Sequence, residues 1–203
     1  MIENESKILF TSDLHFGHKN VLKFDQRPFF TVSEMDTALI ENWNKKVRPG
    51  DFVYVLGDMF WNSEVEYVQN ILKTLNGQIV LIKGNHDKWL HNATNKKLIS
   101  GVKDFDDIQV KIADGSIKRC ILSHYYMPFY KNHYHGAIHL HGHTHNSPES
   151  ILEKNISEYL NSNGYPCSIH NVGCMYWNYE PVTLDEILNG WWKKGFMVKI
   201  YGR

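Results

Sequence analysis

The sequence predicts an α/β fold, a mostly parallel sheet flanked by helices with polar residues gathered at the carboxyl ends of its strands. Three observations carry this reading. Five short apolar runs (Lys7–Thr11, Phe52–Leu56, Gln78–Lys83, Arg119–Leu122 and Ala137–Leu140) each stop at Asp, Asn or His. The runs are continuous where a half-exposed strand would alternate, which is the pattern of strands buried on both faces. Amphipathic helical stripes separate the early runs, and strand–helix–strand alternation favours parallel pairing. Ligands of open α/β sheets sit beyond the carboxyl ends of the strands, so five such tips meeting would form one site. Its centre is expected at Asp58, directly after Gly57.

Ser6–Thr11 reads as the first strand and runs into Ser12-Asp13-Leu14-His15. Leu14–Phe24 follows as loop or short helix, and Arg27-Pro28-Phe29-Phe30 as an exposed turn. Thr31-Val32-Ser33-Glu34 fits a capping box that opens a helix with Val32, Met35, Leu39, Ile40, Trp43 and Val47 on one face. Pro49-Gly50 introduces the second strand. Ser63–Glu66 reads as another capping box, followed by the stripe Val65, Val68, Leu72 and Leu75 and a stop at Gly77. The third strand ends in Gly84-Asn85-His86-Asp87, and Lys88–Ser100 is expected to be helical. Asp106–Ala113 and Ser116–Ser123 form a hairpin around Asp114-Gly115, a strong turn signal. His124 follows it. The run ending at Leu140 leads into His141-Gly142-His143-Thr144-His145. Pro148–Ser162 is an amphipathic helix carrying Ile151, Leu152, Ile156, Tyr159 and Leu160. A strand at Ser168–Val172, a helix capped by Thr183–Glu186 and a last strand at Phe196–Tyr201 complete the chain.

The 203 residues, 42% of them hydrophobic, suffice for one core and read as a single domain. Lys plus Arg equals Asp plus Glu at 22 each, so no net field favours a membrane or a long nucleic acid. No stretch reaches the ~20 apolar residues of a membrane span, and the acidic start lacks an apolar signal region. Three cysteines without CxxC spacing are read as reduced, in a cytoplasmic protein. The anomaly is histidine: seven of twelve fall between His124 and His145.

Asp, Asn and His without a thiolate suit manganese, iron, zinc or nickel. The candidates outnumber the needs of one tetrahedral ion. Two ions ~3.5–4 Å apart and sharing a carboxylate are the natural use of the surplus.

Asp13-Leu14-His15-Phe16-Gly17, Gly57-Asp58, Gly84-Asn85-His86-Asp87, Ser123-His124 and Gly142-His143-Thr144-His145 together resemble the calcineurin-like metallophosphoesterases. Each piece alone is weak, but five in order after expected strands are specific. The resemblance implies a sandwich of β-sheets flanked by helices, with a dinuclear metal site at the strand tips. It implies one divalent ion on Asp13, His15, Asp58 and His145, and a second on Asp58, Asn85, His124 and His143, with manganese favoured. It also implies His86 as a catalytic residue facing the leaving group, oriented by Asp87, and a metal-bridging hydroxide as nucleophile. Met59-Phe60-Trp61 follows Asp58 where the family often has another acidic residue, and the Arg of the protein phosphatase branch is missing. Two rivals are a non-catalytic scaffold of the same fold and an amide or lactam metallohydrolase. Scaffolds usually lose a ligand, and none is lost here. The amide hydrolases want Asp-His after the His string, and Asn146-Ser147 follows instead.

Substrate contacts are expected from His18 and Arg27, with aromatic faces at Phe24, Phe29, Phe30, Tyr125, Tyr126, Phe129 and Tyr130. The implied partner is a small, nucleotide-like phosphodiester or phosphomonoester. His139 and His141 alternate with His143 and His145, and are expected on the ligands' face or just behind it. Residues 146–167 read as an insertion beside the site, acting as a lid or as the contact of a homodimer.

Overall fold

The first three apolar runs are neighbouring parallel strands, but the last two belong to a second sheet. This is seen in a computed structural model, which describes residues 6–190. The first sheet has the order β4-β3-β2-β1-β9. It comprises β1 (Ile8–Thr11), β2 (Phe52–Val55), β3 (Gln78–Ile82), β4 (Gly101–Lys103) and β9 (Val182–Thr183). Only β9 runs antiparallel, against β1. The second sheet has the order β5-β6-β7-β8, from β5 (Asp106–Lys111), β6 (Ile117–Leu122), β7 (Ile138–His141) and β8 (Ser168–Asn171). Its β5–β6 hairpin is antiparallel, as the Asp-Gly turn predicts, and its other pairs are parallel.

Two buried layers explain the continuous apolar runs. Side chains alternate between the faces of a strand. Leu9, Val53, Val55 and Leu81 therefore point to one layer, where they meet Met35, Leu39 and Trp43 of α2 (Val32–Lys46) and Val68 and Leu72 of α3 (Val65–Thr74). Phe10 and Ile82, with Leu56 just past β2, point to the other, against Cys120, Leu122, Ile138 and Leu140 of the second sheet. The sheets thus pack face to face, and the first carries helices on its far side.

Several local expectations change. Thr31 Oγ1 caps α2 by accepting from Glu34 N at 3.1 Å, but the Glu34 carboxylate returns to Phe30 N, so the box is only half formed. Ser63 does not cap α3; the helix starts at Val65, after Asn62 Oδ1 has accepted from Glu64 N. The expected helix 88–100 is a 3₁₀ turn at Lys88–His91 and one short helix, Ala93–Lys96, with Asn92 capping the second piece through Thr94 N. β4 then occupies the chain after it. Thr183 and Glu186 do form a full capping box. The expected strand Phe196–Tyr201 lies outside the described residues. No helix among the described residues is long and apolar enough to cross a membrane.

Candidate metal centre

The loops after β1, β2 and β7 place their polar residues by adopting a backbone that side chains resist. Asp13, His15, Asp58, His143 and His145 all have φ between +48° and +75°. Left-handed non-glycine residues each cost of order 1–3 kcal/mol and persist where the surroundings over-determine them. Here backbone bonds do so: Asp13 N donates to Gly57 O and His15 N to Asp58 O, both at 3.0 Å. Two motif glycines permit the approach of the side chains. A Cβ on Gly84 would lie 2.3 Å from Asp58 Oδ1, and one on Gly142 would lie 2.4 Å from Asp13 Oδ2.

The seven ligands expected from the sequence come together across the two sheets. Asp13, His15 and His145 offer donor atoms within 4.8 Å of one another, as do Asp13, Asp58 and His124. Asp58 Oδ2 is 3.6 Å from His15 Nε2 and 3.6 Å from His124 Nε2, equidistant from one histidine of each group. Around His124 Nε2 lie Asn85 Oδ1 at 3.0 Å and His143 Nδ1 at 3.2 Å. His15 Nε2 and His145 Nε2 face each other at 3.1 Å.

These donors fit a pair of divalent cations. His124 Nδ1 lies 2.8 Å from the Leu56 carbonyl, which can only accept, so that nitrogen carries the proton and Nε2 turns a lone pair into the site. Burial, reinforced by His145 and Arg27, holds the His15 pKa well below its ordinary value, and burial also lowers that of His143. Neutral imidazoles are what a metal needs. Burial raises the Asp13 carboxyl despite His145 and His124 nearby, a cost that a bound cation would offset.

Behind these donors the structure corrects two expectations and narrows a third. Arg27 does not reach substrate: it is only 4% exposed. Its Nε donates to Asp25 at 2.9 Å, and its terminal nitrogens to the carbonyls of Leu14 (2.8 Å) and Asp13 (2.6 Å). It braces the first ligand loop from beneath. Asp87 does not orient the His86 ring. Its carboxylate accepts from Asp58 N, Met59 N, Gly84 N and Trp89 Nε1, at 2.8–2.9 Å, and so ties two ligand loops together. His139 and His141 join neither group of candidate donors and stand behind them. His139 contacts Ile121 O and accepts from Met127 N, and His141 Nε2 is 4.0 Å from Glu153.

Asp25 was not foreseen. Its Oδ2 lies 3.4 Å from His145 Nδ1, where a carboxylate could steady the imidazole of an expected ligand. Burial would raise its pKa, but His145 and Arg27 outweigh that and lower it. The only sequence signal was its place two residues before Arg27. Ser12 was missed as well; its Oγ donates to Leu56 O at 2.7 Å and joins the first two loops.

A cleft of about 350 Å³ opens over the centre, lined by His18, Phe24, Trp61 and His86 beside the ligands. His18, an expected substrate contact, is at this wall, with its pKa lowered to about 4 by burial and by Arg27 and His86. His86 N donates to Asp58 Oδ1 at 2.8 Å, and its ring lies 4.8 Å from that of Trp61. Of the other expected aromatics, Tyr125 abuts His124 and His143 edge-on at 5.0 and 4.7 Å. Tyr130 is instead buried beneath the second sheet, bonded to Ala137 O and Ser168 O, and Phe29 packs on Tyr179.

The expected insertion helix is α5 (Pro148–Ser162). It reaches the ligand loop through Glu153, which accepts from Thr144 Oγ1 at 2.8 Å, and through Tyr126 OH near Ser157 Oγ. Burial raises the Glu153 carboxyl to about 7. No α5 residue lines the cleft, and Ile151, Leu152 and Tyr159 stay exposed, leaving Leu160 as the buried apolar anchor.

This arrangement defines a class. The chain belongs to the calcineurin-like phosphoesterases, whose family model matches residues 6–145. Among individual proteins, it is 36% identical to the uncharacterized protein MJ1445 of Methanocaldococcus jannaschii, over 90% of this chain and 89% of that one. It is 28% identical to the Gene 66 protein of Mycobacterium phage D29, over 90% and 94% of the two chains. A crystal structure of AQ665 from Aquifex aeolicus, a protein of unknown function, superposes with a TM-score of 0.66 at 26% identity, covering 91% of this chain and 99% of that one.

Proposed function

We propose that this protein is a divalent-metal-dependent phosphoesterase acting on a small, nucleotide-like phosphodiester or phosphomonoester. The observation that carries the reading is Asp58 Oδ2, equidistant from His15 Nε2 and His124 Nε2 at 3.6 Å, which links the group Asp13, His15 and His145 to the group Asp13, Asp58 and His124. Two divalent ions there, drawn from manganese, iron, zinc and nickel with manganese our choice, would supply charge neutralisation at phosphoryl oxygens and an activated water. Asp13, His15, Asp58 and His145 would hold one, and Asp58, Asn85, His124 and His143 the other.

The remaining work falls to the chain itself. His86 is fixed through its backbone N–H to Asp58, while its ring stands at the cleft wall against Trp61, so it can place a proton on the departing oxygen. Asp87 secures that geometry through the backbone of Asp58, Met59 and Gly84. Phe24, Trp61 and His18 wall the cleft. All three cysteines are free, two of them buried, which accords with the reducing cytoplasm where we place the protein.

The test is hydrolysis of p-nitrophenyl and alkyl phosphoesters by the Mn²⁺-loaded protein, with His86→Ala alongside. Wild type is expected to turn over, and His86→Ala to lose ~10²–10⁴ in kcat at unchanged metal content. The loss should be smaller for p-nitrophenol, which leaves without a proton. Absence of turnover on every ester would remove the reading, and an equal loss across leaving groups would remove the role of His86.

A further inference from the structure

Three tryptophans of the described residues, Trp43, Trp89 and Trp177, are fully buried, whereas Trp61 is 45% exposed at the cleft. Its ring lies flat on His18, with centroids 3.8 Å apart and planes within 3°. Both residues are held by the ligand loop: Trp61 N donates to Phe16 O at 3.0 Å and His18 N to His15 O at 3.1 Å. Phe24 closes one edge, meeting both His18 and His145 edge-on. The result is a rigid aromatic shelf 4.8 Å from His86. Beside the other ligand group stands a second half-exposed ring, Tyr125.

The cleft also lacks a feature. Among the described residues no Lys or Arg lines it, and the nearby Arg27 is consumed by Asp25 and two carbonyls. Asp13 and Asp58 cancel two of the four positive charges that two divalent ions bring. A deprotonated water and one phosphate charge balance the rest. Apart from the transferable proton of His86, which leaves with the departing group, no cationic side chain among the described residues of the cleft meets the further negative charge of a phosphomonoester dianion or a polyphosphate. Such groups are usually met by Arg or Lys.

We propose that this centre selects phosphodiesters carrying a planar heteroaromatic group, which stacks on the Trp61–His18 shelf. The proposal rests on the phosphoesterase reading above and narrows its substrate. A diester presents a single charge and two organic arms, one of which can reach the shelf. Stacking tolerates any base, so the shelf selects planarity rather than base identity.

Two measurements test this. p-Nitrophenyl phosphate and methyl p-nitrophenyl phosphate share a leaving group and differ by one charge. The Mn²⁺-loaded protein should show the higher kcat/KM for the diester, and an equal or higher value for the monoester overturns the charge argument. Equilibrium dialysis then compares adenosine 5′-methylphosphate, a diester with one base, with dimethyl phosphate, which has none. Wild type should bind the first about tenfold or more tightly than the second, the size of one base–aromatic stack. Trp61→Leu should abolish that ratio and Trp61→Phe keep most of it. A ratio unchanged in Trp61→Leu overturns the shelf. Failure to hydrolyse either nitrophenyl ester would instead remove the phosphoesterase reading, so the two failures are distinguishable.

Discussion

Residue type alone misassigns Arg27. A lone Arg after the first strand invites a phosphate-binding role, because its fork matches phosphate oxygens. The sequence could not reveal that two backbone carbonyls and Asp25 would meet it in the interior. An arginine buried against one carboxylate is a support, and its removal takes from Asp25 its cationic partner and leaves only Asn146 N and His145 beside it. Arg27→Ala should therefore cost about 3–5 kcal/mol of stability, as broken buried pairs do, and weaken metal retention on the His145 side. Urea unfolding and metal analysis would show both. A variant of wild-type stability whose KM alone rises would restore the substrate role. Asp87 teaches the same lesson, since adjacency to His86 in sequence says nothing of where four backbone and indole donors converge. The expected ligands stood out as a group because most sit in a local pattern with a glycine, and Gly84 and Gly142 are tied to Asp58 and Asp13 by close approach.

At the scale of elements, β7 separates two kinds of histidine. His139 pairs in register with Ile121 and His141 with Asn171, both inside the second sheet, while His143 and His145 follow the strand at left-handed turns. The alternation that suggested a shared face ends where the strand ends, so strand periodicity could not carry past Gly142. His139 is fully buried, and burial lowers its pKa to about 4, outweighing its bond to Ile121 O. Its Nε2 accepts from Met127 N and would lose that bond on protonation. The unfolded chain takes up a proton near the ordinary histidine value of ~6.5 and the folded chain does not. Stability from this residue is thus whole above pH ~6.5 and declines as pH falls toward about 4, by at most ~1.4 kcal/mol per pH unit. His139→Gln, which can still donate and accept, should flatten the stability–pH slope between pH 6 and 4.5 by up to one proton. An unaltered slope in urea titrations would show that His139 does not hold its proton off in this way. In α5 the helix was legible from end to end, but its role was not. Ile151 and Leu152 are exposed and Leu160 is buried, so Ile151→Ser should change stability by less than ~0.5 kcal/mol and Leu160→Ala should cost ~2 kcal/mol or more.

For the molecule as a whole, the sequence showed the strand tips and their chemistry better than the sheets that bring them together. Strand pairing depends on partners far along the chain. β9 contributes two residues and β4 three, too short for any periodicity to register. The face-to-face packing becomes evident only once Phe10, Leu56 and Ile82 are seen against Cys120, Leu122 and Leu140. That packing places three loops from one sheet opposite two from the other, and Asp58 lies where they meet. The central claim is that its carboxylate serves two cations at once. The direct measurement is divalent metal content per chain in wild type and Asp58→Asn, by Mn²⁺ titration followed by elemental analysis, with circular dichroism to establish that both are folded. Wild type should bind two ions, and the amide, which brings no charge to share, should lose affinity for both together with activity. One ion in wild type, or two retained in a folded and active Asp58→Asn, would contradict the account.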